Sequence, residues 1–434
     1  MTNTVKTKYL YVEGEIPLDI PKGAFISLQR KTPLKIYSLG FQPAKSIPEI
    51  PRWFLQKYLR EGLTILEPFA GSGTSIIEAI KNQLSVYWLD YHPLSQLNCQ
   101  VKTTLWQSEQ IVAEKERILN NALRQKEAPE TINFTNRDFW FQKPVREGLE
   151  ILKHQIVKSP PNTQKLLWLA YASTVRKTSN MNDGMLLAAR RSKFEEIPQR
   201  SREDTFKYFE FYADKAVEAI REWNNFLNNY RGIIKEVFPA DARTITGNWQ
   251  CDAIVTSPPY INAIDYVWAA KFELHWLGMV KSDRDRLNLY SNEIGTERIA
   301  KQEWKELGRT GYQNLDRLIE DIYFAKKYRA SQGQNQLRAR VVYQYFVDMK
   351  SHFQSCYNRL QRGGYYCFAI GDVSKICGVE IPVASILSKI ASDVGFQEIF
   401  SFHLLLKNRK LNLPRNVNWA GNIERDTIVV LEKV

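Results

Sequence analysis

Four short apolar runs along the chain each stop at a turn of small or polar residues. Residues 63–66 lead into Glu67-Pro68-Phe69, and residues 85–89 into Asp90. Residues 253–255 lead into Thr256-Ser257-Pro258-Pro259-Tyr260, and residues 365–370 into Gly371-Asp372. Brief apolar runs closed by turn residues and followed by helix-like sequence are the pattern of buried parallel strands. Helical periodicity follows at residues 75–82, 343–360 and 381–394. Residues 396–406 and 427–432 predict a closing pair of hairpin strands with a loop between them. The alternation predicts an α/β fold, an open and mostly parallel sheet with helices on its faces.

Two stretches interrupt that alternation. Residues 95–232 are rich in Lys, Arg, Trp and Tyr, with helical spacing over 166–176 and 206–230. Between these lies a polar segment, residues 177–201, that carries Arg190, Arg191 and Lys193. A smaller charged stretch covers 281–340. The expected organisation is one catalytic α/β domain, residues 1–94 with 233–434, interrupted by a helical lobe at 95–232 and a smaller insertion at 281–340. Tyr343 to Met349 with Phe353 forms an aromatic stripe at helical spacing, which predicts core packing under the sheet.

Charge narrows the choice of partner. Sixty Lys and Arg stand against 47 Asp and Glu among 434 residues, a net charge of +13. That excess favours a polyanion, nucleic acid before an anionic membrane surface. The polar N-terminus lacks the apolar run of a signal peptide, and no stretch approaches the ~20 apolar residues of a membrane helix, so a cytoplasmic protein is expected. The five cysteines and five histidines are scattered without metal-ligand spacing. No disulfide framework and no metal site is expected.

Two segments carry chemistry. Glu67-Pro68-Phe69-Ala70-Gly71-Ser72-Gly73-Thr74 joins a predicted strand to a predicted helix. Gly71 and Gly73 let the backbone turn sharply and approach a ligand. A tight turn would explain two glycines alone. Yet no Gly-Lys-Ser/Thr follows, which excludes a phosphate-cradling P-loop, and the next strand ends at Asp90, where a carboxylate can grip ribose hydroxyls. The pattern points to a nucleoside cofactor. In Ser257-Pro258-Pro259-Tyr260, two prolines fix φ and surrender two backbone donors. The Ser257 hydroxyl and the Pro258 carbonyl can then accept both hydrogens of an amino group, while Tyr260 offers a face on which a planar base can stack. The plain alternative is a proline-rich turn ending a strand.

Residues 67–74 resemble motif I of the amino-methyltransferases that act on DNA, usually DPFxGSGT, and Thr256 to Tyr260 resembles their motif IV, (S/T/D/N)PPY. Phe41-Gln42-Pro43-Ala44-Lys45 with Ile47-Pro48 is similar to the segment that closes over the methionine end of the cofactor. Asp90 matches the ribose-binding acid, and Asp241, in Phe238 to Arg243, matches the acid that meets the adenine amino group. The resemblance implies a Rossmann-like class I methyltransferase sheet with a large helical insertion. It implies S-adenosylmethionine, held by Lys45, Glu67, Pro68, Phe69, Gly71, Gly73, Thr74, Asp90 and Asp241. It also implies methyl transfer to an exocyclic amine of a base flipped out of double-stranded DNA onto Ser257, Pro258, Pro259 and Tyr260. Positioning and desolvation carry such a reaction without a cysteine or a metal. Two departures stand out: Glu67 replaces the usual Asp, and a helical insertion separates the Asp90 and Asp241 strands. A leading serine in SPPY is commoner among N4-cytosine enzymes, and aspartate is typical of N6-adenine ones, so cytosine N4 is the first expectation and adenine N6 the second. Methylation of guanine N2 in RNA and a catalytically dead DNA-binding protein are further alternatives. DNA contacts are expected from Arg176, Lys177, Arg190, Arg191 and Lys193, with Arg338 and Arg340 in the smaller insertion. A cognate restriction endonuclease is a candidate partner.

Overall fold

Burial alternates along the central strands so that both faces of the sheet are covered. Ile65, Ala253, Val255 and Cys367 pack on one side, and Leu66, Ile254, Tyr366 and Phe368 on the other. The computed structural model describes residues 8–43, 45–129, 132–182, 185–189, 196–261, 264–325, 334–406 and 423–434. In chain order the strands are β1 (Tyr9–Glu13), β2 (Phe25–Gln29), β3 (Thr64–Glu67), β4 (Ser85–Trp88), β5 (Ile234–Glu236) and β6 (Cys251–Thr256). They continue with β7 (Leu360–Gly371), β8 (Ser374–Ile376), β9 (Val379–Ile381), β10 (Phe396–Leu405) and β11 (Arg425–Lys433). Among the described residues nine of them form one sheet, ordered β1-β2-β10-β11-β7-β6-β3-β4-β5, and β8 pairs with β9.

Every pairing in the large sheet is parallel except those of β11, which runs antiparallel between β7 and β10. The fold is therefore α/β with a mostly parallel sheet, as the alternating pattern predicts. From β3 the chain moves outward to β4 and then returns to place β6 on the other side of β3. The two strands diverge in chain direction there, leaving a crevice at their carboxyl ends where ligands of open α/β sheets bind.

The Glu49–Tyr58 and Thr74–Lys81 helices cover one face through Trp53, Phe54, Ile76 and Ile80. The Gln334–Arg359 and Val383–Val394 helices cover the other, with Tyr345, Phe346, Met349 and Phe353 fully buried, so the aromatic stripe is core. Helices Pro93–Lys102, Ser108–Arg124, Lys143–Val157, Pro161–Thr178 and Arg202–Asn229 lie between β4 and β5 and share an apolar core that includes Ile118, Leu152, Leu167 and Phe209. That core also takes in Phe272 and Trp276 from the Lys271–Trp276 helix that follows β6. The longest of these helices begins at a capping box, in which Ser201 accepts from the Asp204 amide and Asp204 from the Ser201 amide. Residue 95 falls inside the Pro93–Lys102 helix and residue 340 inside the Gln334–Arg359 helix.

Strands β1 and β2 extend the sheet past β10. Neither strand belongs to the predicted set, although Tyr9-Leu10-Tyr11-Val12 and Phe25-Ile26 carry aromatic and branched residues that favour strands; Tyr9 and Tyr11 stay exposed at the sheet edge. All five cysteines are buried and unpaired. Among the described residues no helix is long and apolar enough to cross a membrane, and no group of three or more His, Cys, Asp or Glu could hold a metal ion.

Candidate active site

The glycine loop leaves β3 at Glu67 and enters the Thr74–Lys81 helix. Gly71 (φ +50°) and Gly73 (φ +76°) both occupy the left-handed region that favours glycine. A Cβ on Gly73 would stand 3.5 Å from Cys99 Sγ, an ordinary contact, so it is the backbone conformation and not space that favours glycine there. A Cβ on Gly71 would point towards Gln42 Nε2, 3.5 Å away across the space in front of the loop. The carboxylate of Asp90 staples the turn, accepting from the Gly71 and His92 amides at 2.8 Å each. The amine of Lys102, buried behind the loop, donates to the Ser72 carbonyl at 2.6 Å.

Glu67 is 2% exposed. It accepts from the Phe69 amide at 3.0 Å and from the Thr256 hydroxyl, which ties the glycine loop to the end of β6. Burial pushes its carboxyl up to about 7, against the lowering effect of these hydrogen bonds. Burial likewise raises Asp90 to about 6. Both carboxyls line the same cavity, where they can accept from a hydrogen-donating ligand.

The Ser257–Tyr260 turn is fixed by three elements. The Ser257 hydroxyl donates to the Ala369 carbonyl of β7 at 3.1 Å. With its hydrogen so committed, the Ser257 oxygen presents lone pairs to a donor. The Tyr345 hydroxyl donates to the Pro259 carbonyl at 3.0 Å, which occupies one of the carbonyls of the turn. The Tyr260 hydroxyl donates to Asp426 of β11 at 2.7 Å, holding the ring in place. Both segments open into one cavity of about 750 Å³, lined by Glu67, Gly71 and Asp90 on one side and by Ser257, Pro258, Pro259 and Tyr260 on the other.

Pro68, Phe69, Thr74 and Lys45 line the same cavity. Lys45 donates to the carbonyls of Tyr37, Ser38 and Gly40 at 3.2, 3.2 and 2.8 Å, and burial lowers its amine to about 8. Gly73 lies behind the loop, outside the lining. Asp241 is engaged by the Arg243 guanidinium at 2.8 Å and the Arg243 amide at 2.9 Å, while its neighbours Ala240 and Ala242 line the wall.

The basic residues expected to meet DNA divide. Arg176 is tied into the protein: its guanidinium donates to the carbonyls of Ala269, Met185 and Leu186, pairs with buried Glu273 at 3.3 Å and stacks on Phe41 at 3.7 Å. Arg338 is buried against Glu297, and Arg340 lies 3.6 Å from Glu303 and 3.7 Å from Glu306. Lys177 is half-buried on the same helix as Arg176. Arg190, Arg191 and Lys193 lie outside the described residues.

Three cavity residues escape a reading of the sequence. Glu293 comes from the charged stretch after residue 281, accepts from the Tyr266 amide at 3.0 Å and is pushed up to about 8 by burial. Nothing local marks it among its charged neighbours. Gln42 lies in a segment noted only for its resemblance. Asp426 does leave a signal, an acid at the head of the otherwise apolar run 428–431.

No protein-family model matches this chain. The Type II methyltransferase M.MvaI of Kocuria varians is 24% identical over 403 residues, 86% of this chain and 85% of the relative. The Type II methyltransferase M.AvaI of Nostoc sp. is 23% identical over 413 residues, 82% of this chain and 81% of the relative. The Type II methyltransferase M.BsoBI of Geobacillus stearothermophilus is 27% identical over 199 residues, 42% of this chain and 38% of the relative. Along most of its length, this chain is related to Type II methyltransferases.

Proposed function

We propose that this protein is a site-specific DNA methyltransferase that uses S-adenosylmethionine to methylate the exocyclic amino group of an extruded base, cytosine N4 in first place. The observation that carries the reading is the shared cavity, which brings the glycine loop and the Ser257–Tyr260 turn to one space. Its volume lies within the range of small-molecule and cofactor sites. Relatedness to Type II methyltransferases supports the same conclusion.

The residues present fit the cofactor. Gly71 leaves open a cradle that a Cβ would enter, and the buried carboxyls of Glu67 and Asp90 offer acceptors to a cationic nucleoside. Asp90 would receive the ribose hydroxyls and Glu67 an amino group, with Lys45, Pro68, Phe69 and Thr74 enclosing them; Asp241 is assigned the adenine amine through the resemblance. When bound, S-adenosylmethionine supplies an electrophilic methyl group. An amine conjugated to a base ring is a poor nucleophile. Accepting its protons at the Ser257 hydroxyl and the Pro258 carbonyl favours a pyramidal nitrogen with an available lone pair. Tyr260 stacks on the base, and a base and cofactor filling the cavity would displace water from the reacting atoms.

The domain reading is carried forward on the same basis, with residues 95–232 and 281–340 interrupting a catalytic domain and DNA contacts assigned to Lys177, Arg190, Arg191 and Lys193. Charge reversal at Arg190 and Arg191 is expected to weaken DNA binding and flatten its salt dependence. A restriction endonuclease for the same sequence is the proposed partner, and the cytoplasm the proposed location. Nucleoside mass spectrometry of DNA from cells expressing the protein tests the reaction. N4-methylcytosine is expected; N6-methyladenine in its place would reassign the base, and unmodified DNA from cells with soluble, folded protein would refute the activity.

A further inference from the structure

A second, smaller cavity of about 220 Å³ lies where the helices that follow the catalytic turn meet the loop at residues 134–136. Its floor is cationic and buried. Arg286, 7% exposed, donates to Asp283 at 3.4 Å and faces the Trp268 ring at 5.4 Å, and among the described residues its Nε and Nη1 have no hydrogen-bond partner. Lys271, also 7% exposed, holds its amine over the Trp268 ring at 3.8 Å and the Trp140 ring at 4.1 Å. His275 Nε2 is likewise without a hydrogen bond, 3.4 Å from the Asp283 carboxylate. A buried guanidinium with unspent donors is costly unless something outside the protein completes it.

The charge balance points the same way. Two cations, Lys271 and Arg286, face one carboxylate, Asp283, whose other oxygen accepts from the Thr135 amide at 3.2 Å. Burial first, and then the neighbouring Arg286, lower the Lys271 amine to about 7, with the Asp283 carboxylate acting in the opposite direction. Burial, the largest influence on it, also lowers His275. The exposed Thr135 and Asn136 form the rim, so the floor opens to solvent.

From these observations we infer that Arg286 and Lys271 form a phosphate-binding pocket that grips a backbone phosphodiester of the DNA strand whose base enters the large cavity. The assignment to DNA rests on the proposed function. Its position supports it: along helices Tyr266–Ala269 and Lys271–Trp276, Tyr266 and Ala270 line the large cavity, while Trp268 and Lys271 line the small one. A phosphate held here and a base held there would lie on opposite sides of one short helical segment. Phosphate contacts of this kind set register without reading sequence.

The test uses the full chain with 13C-labelled lysine, in which the Lys271 signal is identified by Lys271→Arg. The Lys271 amine is titrated alone, with inorganic phosphate, and with a duplex oligonucleotide. Duplex is expected to raise its pKa by about one to three pH units, with inorganic phosphate doing so only at much higher concentration. Arg286→Gln should abolish both effects, weaken duplex binding roughly tenfold and flatten the log–log salt slope by about 0.9. If neither ligand moves Lys271 in wild-type protein, the pocket is a packing feature and the inference falls. If phosphate moves it and bound duplex does not, the pocket takes a free anion and the backbone assignment falls. Failure of wild-type protein to bind S-adenosylmethionine or duplex would instead remove the proposed function, and the inorganic phosphate arm would still decide the pocket.

Discussion

Replacing Glu67 with glutamine separates what this carboxyl does for binding from what it costs the fold. In the folded chain burial delays its ionisation to about pH 7, whereas the ordinary value is 4.5. Between those values the folded protein retains a proton that the unfolded chain has released, so stability falls as the pH rises through that window. At about 1.36 kcal/mol per pH unit, the loss totals about 3 kcal/mol once the pH exceeds 7. Glutamine keeps an oxygen for the Thr256 hydroxyl and the Phe69 amide while never ionising. Glu67→Gln is therefore expected to be more stable than wild type by about 2–3 kcal/mol at pH 8, and by less than about 1 kcal/mol at pH 5. Thermal unfolding without cofactor would read this as an increase of several °C at the higher pH alone. Calorimetry should show the opposite sign for function, with S-adenosylmethionine binding weakened by about one to two orders of magnitude through loss of a charged acceptor. A stability gap equal at both pH values would refute the claim that an ionised Glu67 burdens the fold.

Other substitutions probe the remaining parts. Ser257→Ala should lower kcat by about 100-fold with cofactor affinity unchanged, and wild-type turnover would remove Ser257 from the reaction. Tyr260→Phe keeps the ring and loses the hydroxyl that donates to Asp426, whereas Tyr260→Ala also forfeits stacking of about 1–3 kcal/mol. Fluorescence of a cytosine analogue at the target position should therefore report a flipped base in the first variant and not in the second. Arg176→Ala strands the buried Glu273 carboxylate, so unfolding should come earlier by about 3–5 kcal/mol while the salt slope of DNA binding stays put; a flatter slope in stable protein would restore Arg176 to the DNA interface. Gly73→Ala forces a residue with a Cβ into the left-handed region, and a loss of about 1–2 kcal/mol in stability is expected from urea unfolding.

Sequence patterns that depend on neighbours along the chain were the legible ones. The apolar runs at β3, β4, β6 and β7 are buried on both faces, and such strands announce themselves by composition. The glycine loop and the Ser257–Tyr260 turn were visible because their chemistry is packed into consecutive residues. What stayed hidden depends on contacts between distant segments. Strand β2 is held by pairing with β10, a partner about 380 residues away, and β1 is held through β2, so their place in the sheet has no local signal. Arg176 looked like a surface cation among polar neighbours, yet its acceptors come from residues 185–186 and 269–273. Asp241 reads as a free acid in its motif, although its own neighbour Arg243 engages it.

On the proposed function, the wall formed by Asn292, Glu293 and Ile294 would restrict how this protein could change its target. These residues belong to a stretch expected to read DNA, but they also line the cavity proposed to hold the reacting groups. Grafting residues 281–340 from a relative would therefore exchange part of the reaction vessel along with any reading surface. Altered specificity should arise more readily by single changes outside 292–294 than by wholesale swaps.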